Sequence, residues 1–592
     1  MSAWLEREAD ADVLAELIRS GHPPIFARLL AARGIDSSHV SGYLSPDWRD
    51  LAQPQELPGI DHAASLILDE AKTPDKIAVF GDYDCDGVCA TAILTLALRK
   101  VREAVHGDKL GKYAKVVPFL PERLNEGYGL STESINRLIE NHPDVRMVVT
   151  VDNGVNAVEQ IDSLKSRGIS VVVTDHHLRG ETLPRADALI DPKVSAPSHL
   201  SDLCGAAVAY FLARAIVDKA RASLANENVA RGLGGCLFTL AGLATITDIM
   251  PLSGQNRILV AESLKHFPRW APVGLRELHS RAARTGVEGL TAKDFAFMLG
   301  PRINAVGRLG SSLSALRLVM CPEQERETAR ALAMDIDLAN SRRRQIEQRM
   351  TDAALAQIRP GAAAQVIAFS SSNPDVHPGV AGIVASRVVE KLLPQVPVCV
   401  LVDGKGSSRA PACYNVRDAL AHAADTLNQF GGHAAAAGLA VKPGMLDDFR
   451  AKFAAACAIQ AESIPPQELG ARFYDLALES KDITLDLADA IERMEPFGEA
   501  NPEPVFALKR VKFSPNGVRQ FGATGAHLTL SFSDSNIPKA VWWGKGDMVD
   551  ELRSTINWYY DMYFTLAISS YGGRHVEICI TDLVPCLDGY PP

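Results

Sequence analysis

The sequence predicts a multi-domain α/β protein: a parallel-sheet domain, a long connecting helix, a second α/β domain and a C-terminal β-barrel. Three observations carry this. Between residues 77 and 191, short apolar runs alternate with helix-like stretches, the pattern of βαβ units and a parallel sheet. Residues 323–358 form a polar stretch without Pro or Gly. From about residue 470 to 585, short β-type segments follow one another with turn signals between them, as in a small barrel. A chain of 592 residues is also too long for one hydrophobic core.

Composition narrows the class. The chain is 47% hydrophobic and 22% charged, the balance of an ordinary soluble protein. No apolar run is long enough to span a bilayer. The acidic start, "MSAWLEREADADV", lacks the basic-then-apolar order of a signal peptide. Ten scattered cysteines without a CxxC suit a reduced, cytoplasmic chain with no structural zinc. A net charge of -10 excludes a surface coated in positive charge but leaves room for a local basic channel.

Taken in order, residues 1–50, including "GYLSPDWRDL", give no chemical signal and read as an N-terminal helical cap. Residues 51–320 form the first α/β domain. Its strand-like runs are Ile77–Phe80, Val116–Leu120, Met147–Val151 and Ile169–Val173, with helix-like stretches Val88–Leu98, Thr132–Glu140 and Ala157–Arg167 between them. Ligands of such sheets bind beyond the carboxyl ends of the strands. Asp82 and Asp84 follow the first run, Asp152 the third, and Asp175, His176 and His177 the fourth. A more helical region, 202–320, adds Asp248 in "LATITDIMPL" and the segment "GPRINAVGRLG". The connecting helix occupies 321–360. Ala329, Leu332, Ala333, Ile336, Ile346, Met350, Ala353 and Leu355 suit one helical stripe, and an unbroken helix there spans roughly 50 Å. The alternative is two helices broken near Asn340-Ser341. The second α/β domain, 361–465, holds "HPGVAGIVASR", "GKGSSRAP" and "GGHAAAAG". Residues 466–592 supply the barrel strands.

The strand ends carry the chemistry. Asp82, Asp84, Asp152, Asp175, His176, His177 and Asp248 gather hard oxygen donors and imidazoles. Crowded carboxylates repel, and an unpaired buried carboxylate is costly. Two divalent cations, Mg²⁺ or Mn²⁺, sharing a carboxylate would resolve that conflict and need about this many ligands. Mixed Asp/His ligation without thiolates suits Mn²⁺. In "DYDCDG", alternate positions let Asp82 and Asp84 face one pocket, Gly87 lets the backbone turn into the next helix, and Asp86 caps that helix.

"DYDCDG", "VDNG", "TDHH" and "ATITDIMPL" resemble the four motifs of the DHH phosphoesterase superfamily, and "GGHAAAAG" resembles the signature of its associated second domain. "PERLNEGYGL", "GPRINAVGRLG", "GKGSSRAP" and "EPFGEANPEPVF" are similar to the RecJ branch, exonucleases specific for single-stranded DNA. The resemblance runs from about residue 50 to the end. It implies Asp82, Asp84, Asp152, His176 and Asp248 as metal ligands, with Asp152 bridging, His177 facing the scissile phosphate and Asp175 orienting the histidine pair. Other branches place a histidine four residues before the first aspartate. Here that position is Ala78, so one metal site is a ligand poorer.

The implied reaction is metal-dependent phosphodiester hydrolysis from the 5′ end of single-stranded DNA, in repair and recombination. Arg302 is the candidate cation for the developing charge, with Asn304 and Arg308 beside it as nucleic-acid contacts. By the same resemblance Arg123, Ser407 and Arg409 form a 5′-phosphate pocket, Ser407 to Arg409 lying on a Gly-flanked turn. Tyr128 offers a base-stacking surface. Gly431, Gly432 and His433 fall at the start of a helix, an anion site. The barrel is read as an OB-fold, with one of Trp542 and Trp543 facing outward. Single-stranded DNA is the expected partner of a monomer without membrane contact. A single-strand-binding protein and a helicase are implied by the resemblance alone. Two rivals remain: a DHH hydrolase of short oligonucleotides or small nucleotides, and a non-catalytic single-strand-binding scaffold similar to Cdc45.

Overall fold

The computed structural model describes residues 4–106, 116–224, 233–283, 289–392, 394–464, 472–569 and 573–586. Two compact units emerge, Trp48–Gly470 and a second made of Met1–Asp47 with Ala471–Pro592. The boundary drawn at 465 from sequence falls outside the described residues.

The larger unit opens with a five-stranded, all-parallel sheet: β1 (Lys76–Phe80), β2 (Val116–Phe119), β3 (Val145–Val151), β4 (Ser170–Thr174) and β5 (Ala188–Ile190), in the order β2-β1-β3-β4-β5. Each strand is an apolar run because both faces are covered. Ile77, Val79, Met147 and Val149 enter one core, and Ala78, Phe80, Val148 and Val173 enter another. The strand order reverses between β1 and β3, the topological switch point where such sheets bind ligands. Asp82 follows β1 and Asp152 follows β3, so the switch point carries both carboxylates. Helix α1 (Cys85–His106) leaves β1, while α2 (Gly205–Leu224) and α3 (Gly234–Thr247) pack over the same face. Helix α4 (Gly300–Leu309) follows.

The connecting helix is continuous. α5 (Arg326–Leu355) has 30 residues, about 45 Å long. Ala329, Leu332, Ala333 and Ile336 bury one stripe of it, and Met350 and Ala354 join the core of the second α/β domain. That domain holds β6 (Gln365–Phe369), helix α6 (Ala381–Lys391), β7 (Val398–Val402), β8 (Lys405–Arg409), β9 (Leu427–Gly432) and β10 (Ala436–Val441). The sheet order is β9-β10-β8-β7-β6, parallel only between β6 and β7.

Two sequence expectations change here. "GKGSSR" is a strand, not a turn: the turn is Asp403-Gly404, both at positive φ, and Ser407 to Arg409 pair with β7 and β10. Strand alternation puts Ser407 and Arg409 on one face and buries Ser408 on the other. "GGHAAAAG" is a β-hairpin, not a helix start. Gly431 pairs with Gly438 and Gly432 with Ala437, while His433 N–H donates to the Ala436 carbonyl at 2.8 Å. Pairing with β8 overrides the helix propensity of the alanine run, and Gly432 adopts φ 136°, which an alanine could not take cheaply.

In the smaller unit, β11 (Phe506–Val511), β12 (Phe513–Phe521), β13 (His527–Phe532), β14 (Ala540–Trp542), β15 (Tyr560–Ser569) and β16 (His575–Pro585) run β11-β15-β16-β14-β13-β12. β11 and β12 are consecutive halves of one bent strand, so the barrel closes with OB topology, including the parallel pair of its third and fifth strands, β14 and β16. The first 47 residues belong to this unit. Trp4–Glu6 pairs in parallel with Arg472–Tyr474, and Leu17, Phe26, Leu29 and Leu30 share a core with Phe506, Phe513 and Phe564. Arg33 and Asp475, both buried, form an ion pair at 2.9 Å.

Candidate active site

Four elements converge on a buried acidic cluster. Asp84 caps α1, its carboxylate accepting from Gly87 N–H at 3.0 Å. Asp86, expected to cap α1, lies within its first turn and instead accepts from Gly205 and Ala206 N–H, both at 2.7 Å, at the start of α2. Gly87 is required by close approach: a Cβ there would lie 2.5 Å from the Asp82 backbone. Asp152 sits at φ 62°, a left-handed conformation that Asp tolerates better than most residues.

His176 is the centre of the cluster. Its Nε2 lies 3.1 Å from Asp152 Oδ1, 3.5 Å from Asp248 Oδ2 and 3.6 Å from Asp86 Oδ2. Ligating atoms of Asp152, His176 and His177 lie within 4.8 Å of one another, as do those of Asp86, His176 and Asp248. His176 Nε2, Asp152 Oδ1 and Asp82 Oδ2 are buried without a hydrogen-bond partner. Unsatisfied buried acceptors converging on one point are what a hard divalent cation needs. Asp86, Asp152, His176, His177 and Asp248 lie close enough to fit such an ion, and Asp82 and Asp84 are tied to them through the mutual repulsion of their carboxylates.

The electrostatics agree. Burial and then the charge of Asp84 raise Asp82 well above the usual carboxylate range. Burial and the charges of Asp86, Asp84 and Asp248 do the same to Asp152, and burial with Asp86 and Asp84 to Asp248. Burial lowers His176 to about 4, so it is neutral and ready to coordinate. His177 differs. Burial opposes its charge, but the hydrogen bond from Nδ1 to Asp175 Oδ1 at 2.7 Å outweighs it and raises His177 to about 9. Asp175 is itself fixed by the Val155 and His176 N–H groups, at 2.9 and 2.8 Å. Tyr128, half exposed, donates to the Asp152 carbonyl at 3.0 Å and packs edge-on to His177.

A second group of charges lies nearby. The Arg123 guanidinium sits 5.0 Å over the Tyr83 ring. Burial and the charge of Arg123 lower Arg308 to about 10, and the same two causes lower Arg409. None of the three has a carboxylate ion-pair partner among the described residues. Arg409 donates to the Ser408 carbonyl at 2.8 Å. Gly382, near the start of α6, is pressed against the group: a Cβ would lie 2.9 Å from Arg409 Nη2 and 3.3 Å from Ser407 Oγ. Mutually repelling guanidiniums, a hydroxyl and a close backbone have the chemistry that suits a strongly charged anion.

Other residues are placed differently from expectation. Arg302 pairs with Asp337 of α5 at 2.9 Å and donates to the Met298 carbonyl, so its guanidinium is already engaged. Asn304 accepts from Cys85 N–H at 2.7 Å and braces the start of α1. Gly431, Gly432 and His433 line a cavity of about 640 Å³ with Tyr128, His177 and Arg417. Sequence reasoning passed over Lys193, whose charge acts on His176, Asp248 and His433. It follows β5 at a fifth strand end, a position open to the same search.

Gly205 supplies one prediction. Its absent Cβ would lie 2.5 Å from Asp152 Cβ and 2.6 Å from Asp152 Oδ1. Gly205→Ala should cost about 1–3 kcal/mol of stability through overpacking and weaken metal affinity, read by thermal melts with and without Mn²⁺.

The DHH family, N-terminal domain, matches residues 76–238, the DHHA1 domain 361–458 and the RecJ OB domain 474–582. The single-stranded-DNA-specific exonuclease RecJ of Dickeya dadantii is 35% identical over 82% of this chain and 83% of its own. The chain belongs to the RecJ family. The RecJ of Escherichia coli is 33% identical, covering 84% of this chain and 85% of its own. The crystal structure of RecJ in complex with Mn²⁺ from Thermus thermophilus superposes with a TM-score of 0.78 at 29% identity, over 98% of this chain and 78% of that one. As in the sequence expectation, the fold is mixed α/β with an OB domain.

Proposed function

We propose that the protein hydrolyses single-stranded DNA from its 5′ end, with two divalent ions, Mg²⁺ or Mn²⁺, at the acidic cluster. The observation that carries the reading is the pairing of that cluster with three guanidiniums that lack carboxylate partners among the described residues. Family membership and the names of the RecJ relatives support the substrate.

Asp82, Asp84, Asp152, His176 and Asp248 would hold the ions, with Asp152 as the carboxylate they would share and Asp86 contributing from the first turn of α1. Divalent ions held there supply Lewis acidity to the phosphate and a nucleophile drawn from water. His177, charged and fixed by Asp175, faces the phosphate and stabilises the negative charge that develops on it. Arg123, Arg308, Arg409 and Ser407 hold the 5′-terminal phosphate, which sets the distance from the end to the cluster. His177 takes the role expected of Arg302, and Arg308, expected as a nucleic-acid contact, joins the end pocket. Tyr128 and the Gly431–His433 hairpin flank the strand.

The barrel adds a strand-binding face of its own. Trp542 is buried, whereas Trp543 is 55% exposed and meets Phe521 and His527 edge-on. Trp543 and Phe521 border a cavity of about 890 Å³ lined also by Thr529, Lys539, Val541 and His575. It lies over the second and third strands of the barrel, the face on which OB-folds take oligonucleotides.

Arg409→Ala tests the end pocket. Losing a charge-assisted contact should reduce cleavage of 5′-phosphorylated strands by about 1.5–3 kcal/mol and shrink their advantage over 5′-hydroxyl strands. Equal preference in wild type and variant would remove the pocket from the account.

A further inference from the structure

The placement of Arg302 exposes a second cationic site. Helices α4, α5 and α6 enclose a cavity of about 550 Å³ whose lining includes Arg302, Arg343, Arg344, Thr351, Arg387 and Lys391. Its acidic groups are already engaged. Glu347 takes Arg343 and, at 3.1 Å, Arg387, and Glu390 takes Arg387 at 2.9 Å; Asp337, outside the lining, takes Arg302 at 2.9 Å. Arg344 and Lys391 remain, both exposed and without an ion-pair partner among the described residues. Two lining residues each carry a buried polar atom that lacks a hydrogen-bond partner, Arg343 Nε and Thr351 Oγ1, and Thr351 is only 3% exposed.

Buried groups left unsatisfied beside an excess of cations call for an acceptor-rich anion. The cavity falls within the usual size of small-ligand sites, roughly 300–1,000 Å³. Its walls are also the elements that shape the end pocket. α4 carries Arg308, and α6 carries Gly382 against Ser407 and Arg409. A ligand bridging α4, α5 and α6 would hold those two helices at a fixed separation.

We propose that this cavity binds the phosphate group of a nucleotide through Arg343, Arg344, Lys391 and Thr351. The phosphate comes either from a released mononucleotide or from the strand itself, and the chemistry of recognition is the same for both. The anion site rests on the cavity alone; the nucleotide as its source rests on the reaction proposed above.

The test uses the full chain without metal, so that nothing is cleaved. Deoxyadenosine monophosphate and a long 5′-hydroxyl thymidine strand are titrated into wild type, Arg409→Ala and the double variant Arg344→Glu/Lys391→Glu. Both residues of the double variant are exposed, so its fold should persist, and circular dichroism checks this. Wild type should bind the mononucleotide at two sites. Arg409→Ala should weaken one and the double variant the other, each by at least about tenfold. If the strand also occupies the cavity, its salt dependence should lose about 0.7 in slope for each phosphate contact removed. Loss of the mononucleotide site assigns the free nucleotide, and loss of slope assigns the strand. Thr351→Val, which deletes only a hydroxyl, should weaken the same site severalfold and decides the matter if the double variant is unstable. Unchanged stoichiometry and unchanged slope in folded variants would overturn the proposal. Since no step needs hydrolysis, that failure would leave the nuclease reading standing, and an inactive nuclease would not remove the anion site.

Discussion

Asp152→Asn should abolish hydrolysis, by at least about a thousandfold, while leaving affinity for single strands near wild type. The residue is buried, meets His176 Nε2 at 3.1 Å and holds a left-handed backbone. Asn tolerates that conformation, so the substitution removes charge and little else. The ion pair it would share with two cations is gone, and with it the activated water. In the proposed function strand affinity rests on phosphate contacts elsewhere, at Arg123, Arg308, Arg409 and the barrel. Turnover and binding measured side by side decide the point. Substantial activity in Asp152→Asn would remove the bridging role.

Chelation gives the second large effect. In the metal-free protein Asp82, Asp86, Asp152 and Asp248 are raised above the ordinary carboxylate value, chiefly by burial. A raised acid binds its proton more tightly folded than unfolded, so stability falls as pH climbs from about 4. His177, raised to about 9, adds stability below its unfolded value of about 6.5 that is lost as pH rises toward 9. His176, lowered to about 4, acts oppositely and costs stability as pH falls below about 6.5. Divalent ions would displace the protons that these carboxylates retain. Mn²⁺ at a hundredfold excess over its Kd should contribute about 2.7 kcal/mol, a rise of a few degrees in Tm. That rise should grow between pH 5 and pH 8, because fewer protons then compete for the carboxylates. Melting curves with Mn²⁺ and with chelator across that range give the answer. A metal-induced shift that shrinks with pH would contradict the assignment.

The parts of this site legible in the sequence are those set by short-range pattern. Asp82, Asp152 and Asp175 follow apolar runs, and a parallel sheet brings all strand ends to one edge whatever lies between them. His176 and Asp248 came with the motifs around them. What the pattern missed depends on tertiary contact. Asp86 looks like a cap for its own helix, and only the approach of α2 turns it toward His176. Arg302 and Arg308 share one helix and one motif. Their faces diverge by the helical period, so one meets Asp337 and the other the end pocket. The alanine run after His433 reads as helix because local propensity cannot register the strand waiting in β8. Residues 1–47 carry no local sign that Trp4–Glu6 will pair with Arg472–Tyr474.

The most direct measurement is digestion of a long 5′-phosphorylated single strand, labelled at one end or the other, with Mn²⁺ or with chelator, beside the same strand in a blunt duplex. The account predicts metal-dependent release of label from the 5′ end first, with the 3′ label retained until late and the duplex intact. Release from the 3′ end at the same rate, or release that persists in chelator, would contradict it.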